Sequence, residues 1–291
     1  MENKINKKTY SLYKQYLAKY FRISSYPFIS GDTFRSYSKH VFDEQSSFVP
    51  GNVANKDLVF VKSDMLERYF KEIHPQINNK YVLLSHNSDD SICSDFNDFI
   101  DSNIIHWFAQ NLVEDFSEKV SILPIGLENR WYFNNGKIGI LKKFAKRNTK
   151  KNLLALSLFN PTTNSKRVEI SNIIKNNDLI TKPEIKNKAE YLDYVSRSKF
   201  VLCPEGNGPD THRIWESLLF ESIPIMNKSS FSNILKKAGI PIYILKNWEE
   251  INNLNYDLLN ANYEKNKLSF ESNKFTHFSY WEDKITQHLD G

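Results

Sequence analysis

Short apolar runs, each closed by a polar or glycine turn and followed by residues at helical spacing, recur along the chain. In the first half they are residues 27–30 before Gly31-Asp32, 58–62 before Ser63-Asp64, 81–85 before His86, and 120–125 before Gly126. After the second run, Leu66, Tyr69, Phe70 and Ile73 repeat on one helical face. The second half continues with predicted strands at 153–159, 199–203, 223–226 and 240–245, and helices at 167–175, 191–198, 211–221 and 231–238. Strand and helix in alternation predict a largely parallel sheet. The densest basic run, 142–151, reads as a solvated connection or as a contact for anionic lipid or acceptor. It divides the chain into two α/β units of about 150 residues, 1–148 and 149–291.

Composition narrows the class. The 291 residues are 40% hydrophobic and 25% charged, enough for one or two compact cores and unlike a disordered chain. A net charge of +5, with acids and bases interleaved, lacks the concentrated footprint of a nucleic-acid binder. Cys93 and Cys203 stand far apart without metal-ligand spacing, which suits a reducing, cytoplasmic setting rather than a disulfide framework or zinc site. Residues 1–21 form a polar helical stretch without the apolar core of a signal peptide, and no apolar run approaches the roughly 20 residues that span a bilayer. Any membrane contact is then expected to be peripheral, at the inner face.

In an open parallel sheet, ligands sit beyond the carboxyl ends of the strands. Asp32, Asp64, His86, Asp89 and Glu128 share that rim in the first unit; 160–166 and 205–213 form it in the second. Two rims facing each other make a cleft. Residues 200–216 concentrate the chemistry: a strand, a Gly/Pro turn and a capped helix. Asp210 is the expected N-cap, and Gly206 and Gly208 keep the loop thin, so the first-turn amides stay open to an anion. Arg213 adds a bidentate phosphate donor, and a diphosphate is the natural guest. Glu216, three residues on, is placed to accept from ribose hydroxyls; the bland alternative is an i,i+3 surface pair with Arg213. Thr211 stands where a dinucleotide fingerprint has its third glycine, which weakens an oxidoreductase reading but keeps Thr211 in the donor loop.

The run "FVLCPEGNGPDTHRIWESLLFESIPIM" resembles the signature of exostosin-like glycosyltransferases, family 47, and the resemblance continues upstream through "SGDTFR", "VFVKSD", "LLSHNSDD", "WFAQN" and "LPIGLENRW". It is more distantly similar to the α-1,3-fucosyltransferase pattern, with Glu205, Asn207 and Arg213 near that family's acidic, amide and basic residues. The resemblance implies a GT-B architecture, two Rossmann-like domains with parallel sheets facing an interdomain cleft, with the donor held mainly by the second. It also implies Arg213 on the donor diphosphate, Glu216 on its ribose, and inversion at the anomeric carbon. One departure is Glu221-Ser222, where the family commonly has glycine before the Ile-Pro-Ile strand.

No Asp-x-Asp occurs in the chain, so the pair that holds a divalent cation in GT-A enzymes is missing. Arg213, the helix terminus and Arg167 or Lys166 would neutralise the diphosphate instead, with neither metal nor cofactor. Inversion needs a base beside the acceptor hydroxyl, and Asp89, Asp32 and His86 are the candidates, in that order. Each also has a bland reading: a helix cap for Asp89, an Asx-turn for Asp32, interdomain packing for His86. Trp131 is the expected acceptor contact, and Trp107-Phe108 read as core or cleft wall. The expected function is transfer from a UDP- or GDP-sugar to a glycan or glycolipid, in surface polysaccharide or lipopolysaccharide synthesis. A fucosyltransferase-like enzyme with a GDP-sugar and a silent nucleotide- or glycan-binding protein are the alternatives.

Overall fold

The computed structural model describes residues 20–132, 135–147, 149–267 and 274–290. The helical stretch expected at 1–21 lies, as far as residue 19, outside the described residues. The first half forms a five-stranded parallel sheet in the order β1 (His40–Phe42), β2 (Asp57–Lys62), β3 (Tyr81–His86), β4 (Ile104–Ala109) and β5 (Val120–Ile122). The run 27–30 is not its first strand. Phe28 and Ser30 make only isolated antiparallel bridges, to His277 and Gly126, and Ser30 caps helix α1 (Gly31–Tyr37). The sheet instead opens on β1 and includes β4, neither of which the apolar-run pattern singled out.

Sequential strand order has a packing consequence. Right-handed crossovers between parallel strands that always step the same way land on one face, so the other face must be covered from elsewhere. On β4 the alternation is visible: buried Trp107 meets Phe70, Phe96 and Phe116 of the crossovers, while His106 and Phe108 point the opposite way. That second face is covered by the last helix of the chain. His288 stacks on His106 at 3.9 Å, and Phe278 packs on Phe34 of α1. The last helix therefore returns from the second half, and its first turn also touches that half, Trp281 lying edge-on to Trp215.

The second sheet, also parallel, has the order β10-β9-β8-β6-β7. Along the chain, helix α2 (Leu66–Arg68, continued by a π turn at Tyr69–Ile73) and α3 (Ile138–Ala145) precede β6 (Leu153–Leu156), α4 (Ser165–Ile173) and β7 (Ile180–Thr181). Then come α5 (Lys188–Arg197), β8 (Ser198–Leu202), α6 (His212–Leu219) and β9 (Ile223–Asn227). α7 (Ser230–Lys237), β10 (Tyr243–Leu245), α8 (Tyr256–Lys267) and α9 (Phe278–Asp290) complete it. Strand order reverses between β6 and β8, the position where a parallel sheet opens a crevice beyond its carboxyl ends.

The basic run is only partly a solvated connection: Lys142 and Lys143 are exposed on α3, but the Lys151 amine turns inward to Ser198 O, Ser222 Oγ and Phe220 O. Burial pushes its pKa down to about 7. The departure at Glu221 leaves the helix end unaltered in kind. Glu221 takes φ 58°, the left-handed conformation glycine would occupy, and its N–H and that of Ser222 bond to Leu218 O and Ser217 O at 3.0 and 2.9 Å. No helix among the described residues is long and apolar enough to cross a membrane.

Candidate functional site

At the switch point β8 runs out at Leu202 into Pro204, and the following loop is pinned from α4. Arg167, buried, donates through Nε to Glu205 O at 2.7 Å and through Nη2 to Pro204 O at 3.1 Å, while Asn164 donates to Gly206 O at 2.9 Å. Burial, then the neighbouring Arg213 charge, lowers the Arg167 pKa to about 10. Its guanidinium is thus largely committed to carbonyls, although it still lines the cleft. Glu205 ion-pairs with Lys166 at 3.3 Å. Gly208 sits where the two halves meet: a Cβ there would lie 2.9 Å from Asn111 Nδ2 and 3.1 Å from Asp89 O.

Asp210 is not the N-cap. Thr211 holds that position with no capping bond from its side chain, and its buried Oγ1 has no partner among the described residues. Asp210 is instead a buried tie between the halves. Its Oδ2 accepts from the Ile125 N–H at 2.7 Å, and its Oδ1 from Trp215 Nε1 at 2.8 Å. Burial pushes its carboxyl up to about 7 against those bonds. The opening turn of α6 is therefore left without a side-chain cap, as an anion site requires.

Over this turn lies a cleft of about 740 Å³. Leu158 and Asn160 beyond β6 form one wall, Lys186, Lys188 and Tyr191 the entry to α5 another, and Thr211, Arg213 and Glu216 the α6 side. Arg213 donates to Leu158 O at 3.2 Å, its Nε is buried without a partner, and it forms no ion pair among the described residues. Glu216 does not pair with Arg213. Its carboxylate is held by Lys188 and by Tyr191 Oη at 2.7 Å. Burial opposes its ionisation, but the Lys188 charge and bond hold its pKa below the usual range. Lys188, missed by sequence reading, was detectable only as a cation at the opening of α5.

A smaller cavity of about 280 Å³ lies on the first-half rim. Of the three expected bases, Asp89 is exposed on its wall and accepts from Asn207 Nδ2 across the gap at 3.2 Å. His86 is fully engaged: Nε2 donates to Pro124 O at 3.0 Å and Nδ1 accepts from the Asn87 N–H at 2.6 Å. Burial drives its pKa down to about 4, so the ring is neutral, and both of its nitrogens are taken where it lines the cavity. Asp32 is buried against Arg22 at 2.7 Å and does not line the cavity; burial outweighs Arg22 and raises its pKa. Trp131 does line it, with an indole N–H that is buried and unpartnered among the described residues; Trp107 is core, bonded to Ser85 Oγ.

Two residues line both cavities, one from each half: Glu128 and His212. Gly126, at φ +69° and too close to Ile29 O to carry a Cβ, turns the chain so that Glu128 faces α6. His212 Nδ1 donates to Gly126 O at 2.8 Å, and Nε2 ion-pairs with Glu128 Oε1 at 3.2 Å. Burial works against the charged ring, but Glu128 and the Gly126 carbonyl raise its pKa to about 9. The sequence placed Glu128 on the rim without ranking it, and gave His212, inside the helix expected at 211–221, no role.

The family match falls on the half that holds the larger cleft. A family model described as RXYLT1 C-terminal domain, a glycosyltransferase family, matches residues 145–286. Among curated proteins the chain is similar to ribitol-5-phosphate xylosyltransferase 1 of Danio rerio, 25% identical over 112 residues, and of Mus musculus, 29% identical over 114. Each match covers 30% of this chain and 26% of the relative, so the chain matches about a quarter of the length of these relatives. Among solved structures, an alpha,alpha-trehalose 6-phosphate synthase from Burkholderia multivorans superposes with a TM-score of 0.46 at 10% identity, covering 100% of this chain and 77% of that one.

Proposed function

We propose that the protein is a glycosyltransferase of GT-B type, with an acceptor-side domain at 1–148 that α9 returns to cover and a donor-side domain in the rest of 149–291. It would transfer a sugar from a nucleoside-diphosphate donor in the larger cleft to an acceptor hydroxyl in the smaller cavity. The observation that carries this reading is Arg213: a cation without an ion-pair partner among the described residues, beside an uncapped helix terminus, at the sheet's switch point, inside the segment that matches a glycosyltransferase family. Arg213 and the α6 amides would take the diphosphate. Glu216, locked by Lys188 and Tyr191, retains lone pairs for a ribose hydroxyl.

The relatives' name supports a xylosyl or related donor and a polyol-phosphate or glycan acceptor. The exostosin-like motif adds inversion, and the missing Asp-x-Asp adds metal independence. Cys93 and Cys203, both unpaired, suit a reducing compartment, where the acceptor would be a glycan or glycolipid of surface polysaccharide synthesis. Thermal-shift titration with UDP, GDP and their sugars tests the donor site, because a ligand of the folded state raises the midpoint in proportion to its affinity. Stabilisation by a nucleotide sugar together with its turnover is the expected result. Stabilisation without turnover would mark a silent binding protein, and no response to either nucleotide class would remove the donor site.

A further inference from the structure

Resting on the transferase reading, we propose that Glu128 is the general base of the transfer and that His212 positions it. A base must reach the acceptor hydroxyl while that oxygen approaches the anomeric carbon of the donor, so it must stand where the two cavities meet. Glu128 is the one carboxylate among the described residues that lines both. Asp89 lines only the smaller cavity and is tied to Asn207; Glu44 is occupied by Arg22 and Lys62, at 3.3 and 3.6 Å.

The two oxygens of Glu128 have separate tasks. Oε1 ion-pairs with His212 Nε2 and accepts from the Asn129 N–H, both at 3.2 Å. Oε2 has no partner among the described residues and is the atom left to take a proton. His212 is not the base, because both ring nitrogens are engaged, Nδ1 with Gly126 O and Nε2 in the ion pair with Glu128. Its place at the start of α6 makes the pair span the halves, so the base is in register with the donor only when the halves are together.

The step balances without a co-reactant. The acceptor oxygen bonds to the anomeric carbon as the bond from that carbon to the donor phosphate oxygen breaks. The electron pair leaves on the nucleoside diphosphate, near Arg213, and the acceptor proton passes to Glu128 Oε2, from which water removes it.

The test uses the whole chain and measures nucleoside diphosphate release from UDP-xylose, UDP-glucose and GDP-fucose, with water as acceptor, alongside donor affinity by calorimetry. Glu128→Gln should keep wild-type donor affinity and lose kcat by a factor on the order of 10²–10⁴. In Glu128→Ala, added formate should restore part of that loss, a response that a structural role would not give. His212→Gln, which keeps an N–H for Glu128, should retain more of kcat than His212→Ala. Glu128→Gln within about threefold of wild type, or no formate response, overturns the base. A larger kcat loss in Asp89→Asn than in Glu128→Gln moves it to Asp89. A wild type that binds and releases none of the three sugars fails the transferase reading instead, and the base with it.

Discussion

Arg213 and Arg167 stand side by side in one cleft, yet the structure gives them different work, and alanine substitution should separate them. Among the described residues the Arg213 side chain has one hydrogen bond to protein, to Leu158 O at 3.2 Å, and an unpartnered Nε. Its removal costs the fold about 1 kcal/mol, the net worth of an ordinary hydrogen bond. A charge-assisted contact to donor phosphate is worth about 1.5–3 kcal/mol, so Arg213→Ala should weaken nucleotide-sugar binding by roughly 10- to 150-fold. Arg167 makes three bonds, to Glu205 O, Pro204 O and Asn160 O, and holds the loop itself. Its loss strands buried carbonyls, and Arg167→Ala should cost about 3 kcal/mol of stability or more. Calorimetric titration with the donor and urea unfolding of both variants supply the two readouts. Unchanged donor affinity in Arg213→Ala, with lowered stability, would return Arg213 to a surface helix residue and refute the argument.

Turnover should persist in excess EDTA, since cationic side chains and a helix terminus stand where a metal would act; an absolute requirement for Mn²⁺ or Mg²⁺ contradicts it. Asp210→Asn should destabilise by about 1–3 kcal/mol, because both oxygens accept and an amide satisfies only one of the Ile125 and Trp215 N–H groups; equal urea midpoints would dismiss the tie. His212, with a folded pKa near 9 against 6.5 unfolded, contributes stability that is complete below 6.5 and lost as pH rises through 9, by up to about 1.4 kcal/mol per unit. That slope, read as wild type minus His212→Gln in urea between pH 6 and 9, should be present; parallel curves would show that the proton is not held. Glu221→Gly should stabilise by about 1 kcal/mol by relieving a left-handed backbone, and a lowered melting temperature would show that the Glu221 side chain matters more than its φ.

What could be read from the sequence was whatever depended on near neighbours. The continuous apolar runs at 58–62, 81–85, 199–203 and 223–226 became strands because such runs suit a sheet covered on both faces. The anion-binding turn before α6 followed from glycines and a helix start. Residues 27–30 misled because an apolar run has no label for its partner: they pair with 276–278 and with 126–127, not with a neighbouring strand. Asp210 looked like a cap because the sequence could not show Ile125, 85 positions away, whose N–H it accepts. Glu216 likewise finds Lys188 from another helix, 28 residues distant. The Glu128–His212 pair depends on the relation between two halves of the chain, a quantity carried by no local pattern.

The return of α9 to the first sheet changes how the cleft can open. The chain crosses between halves once before β6 and again where 276–278 lies along 27–29, with Ile29 N–H on Thr276 O at 3.1 Å and Phe278 N–H on Pro27 O at 2.8 Å. Two bodies joined at one point can swivel in any direction. Joined at two, they turn only about the line through both joints, as a door does on a pair of hinges. A parting of the halves that kept both joints intact would follow a single arc, along which Glu128 and His212 would separate and rejoin.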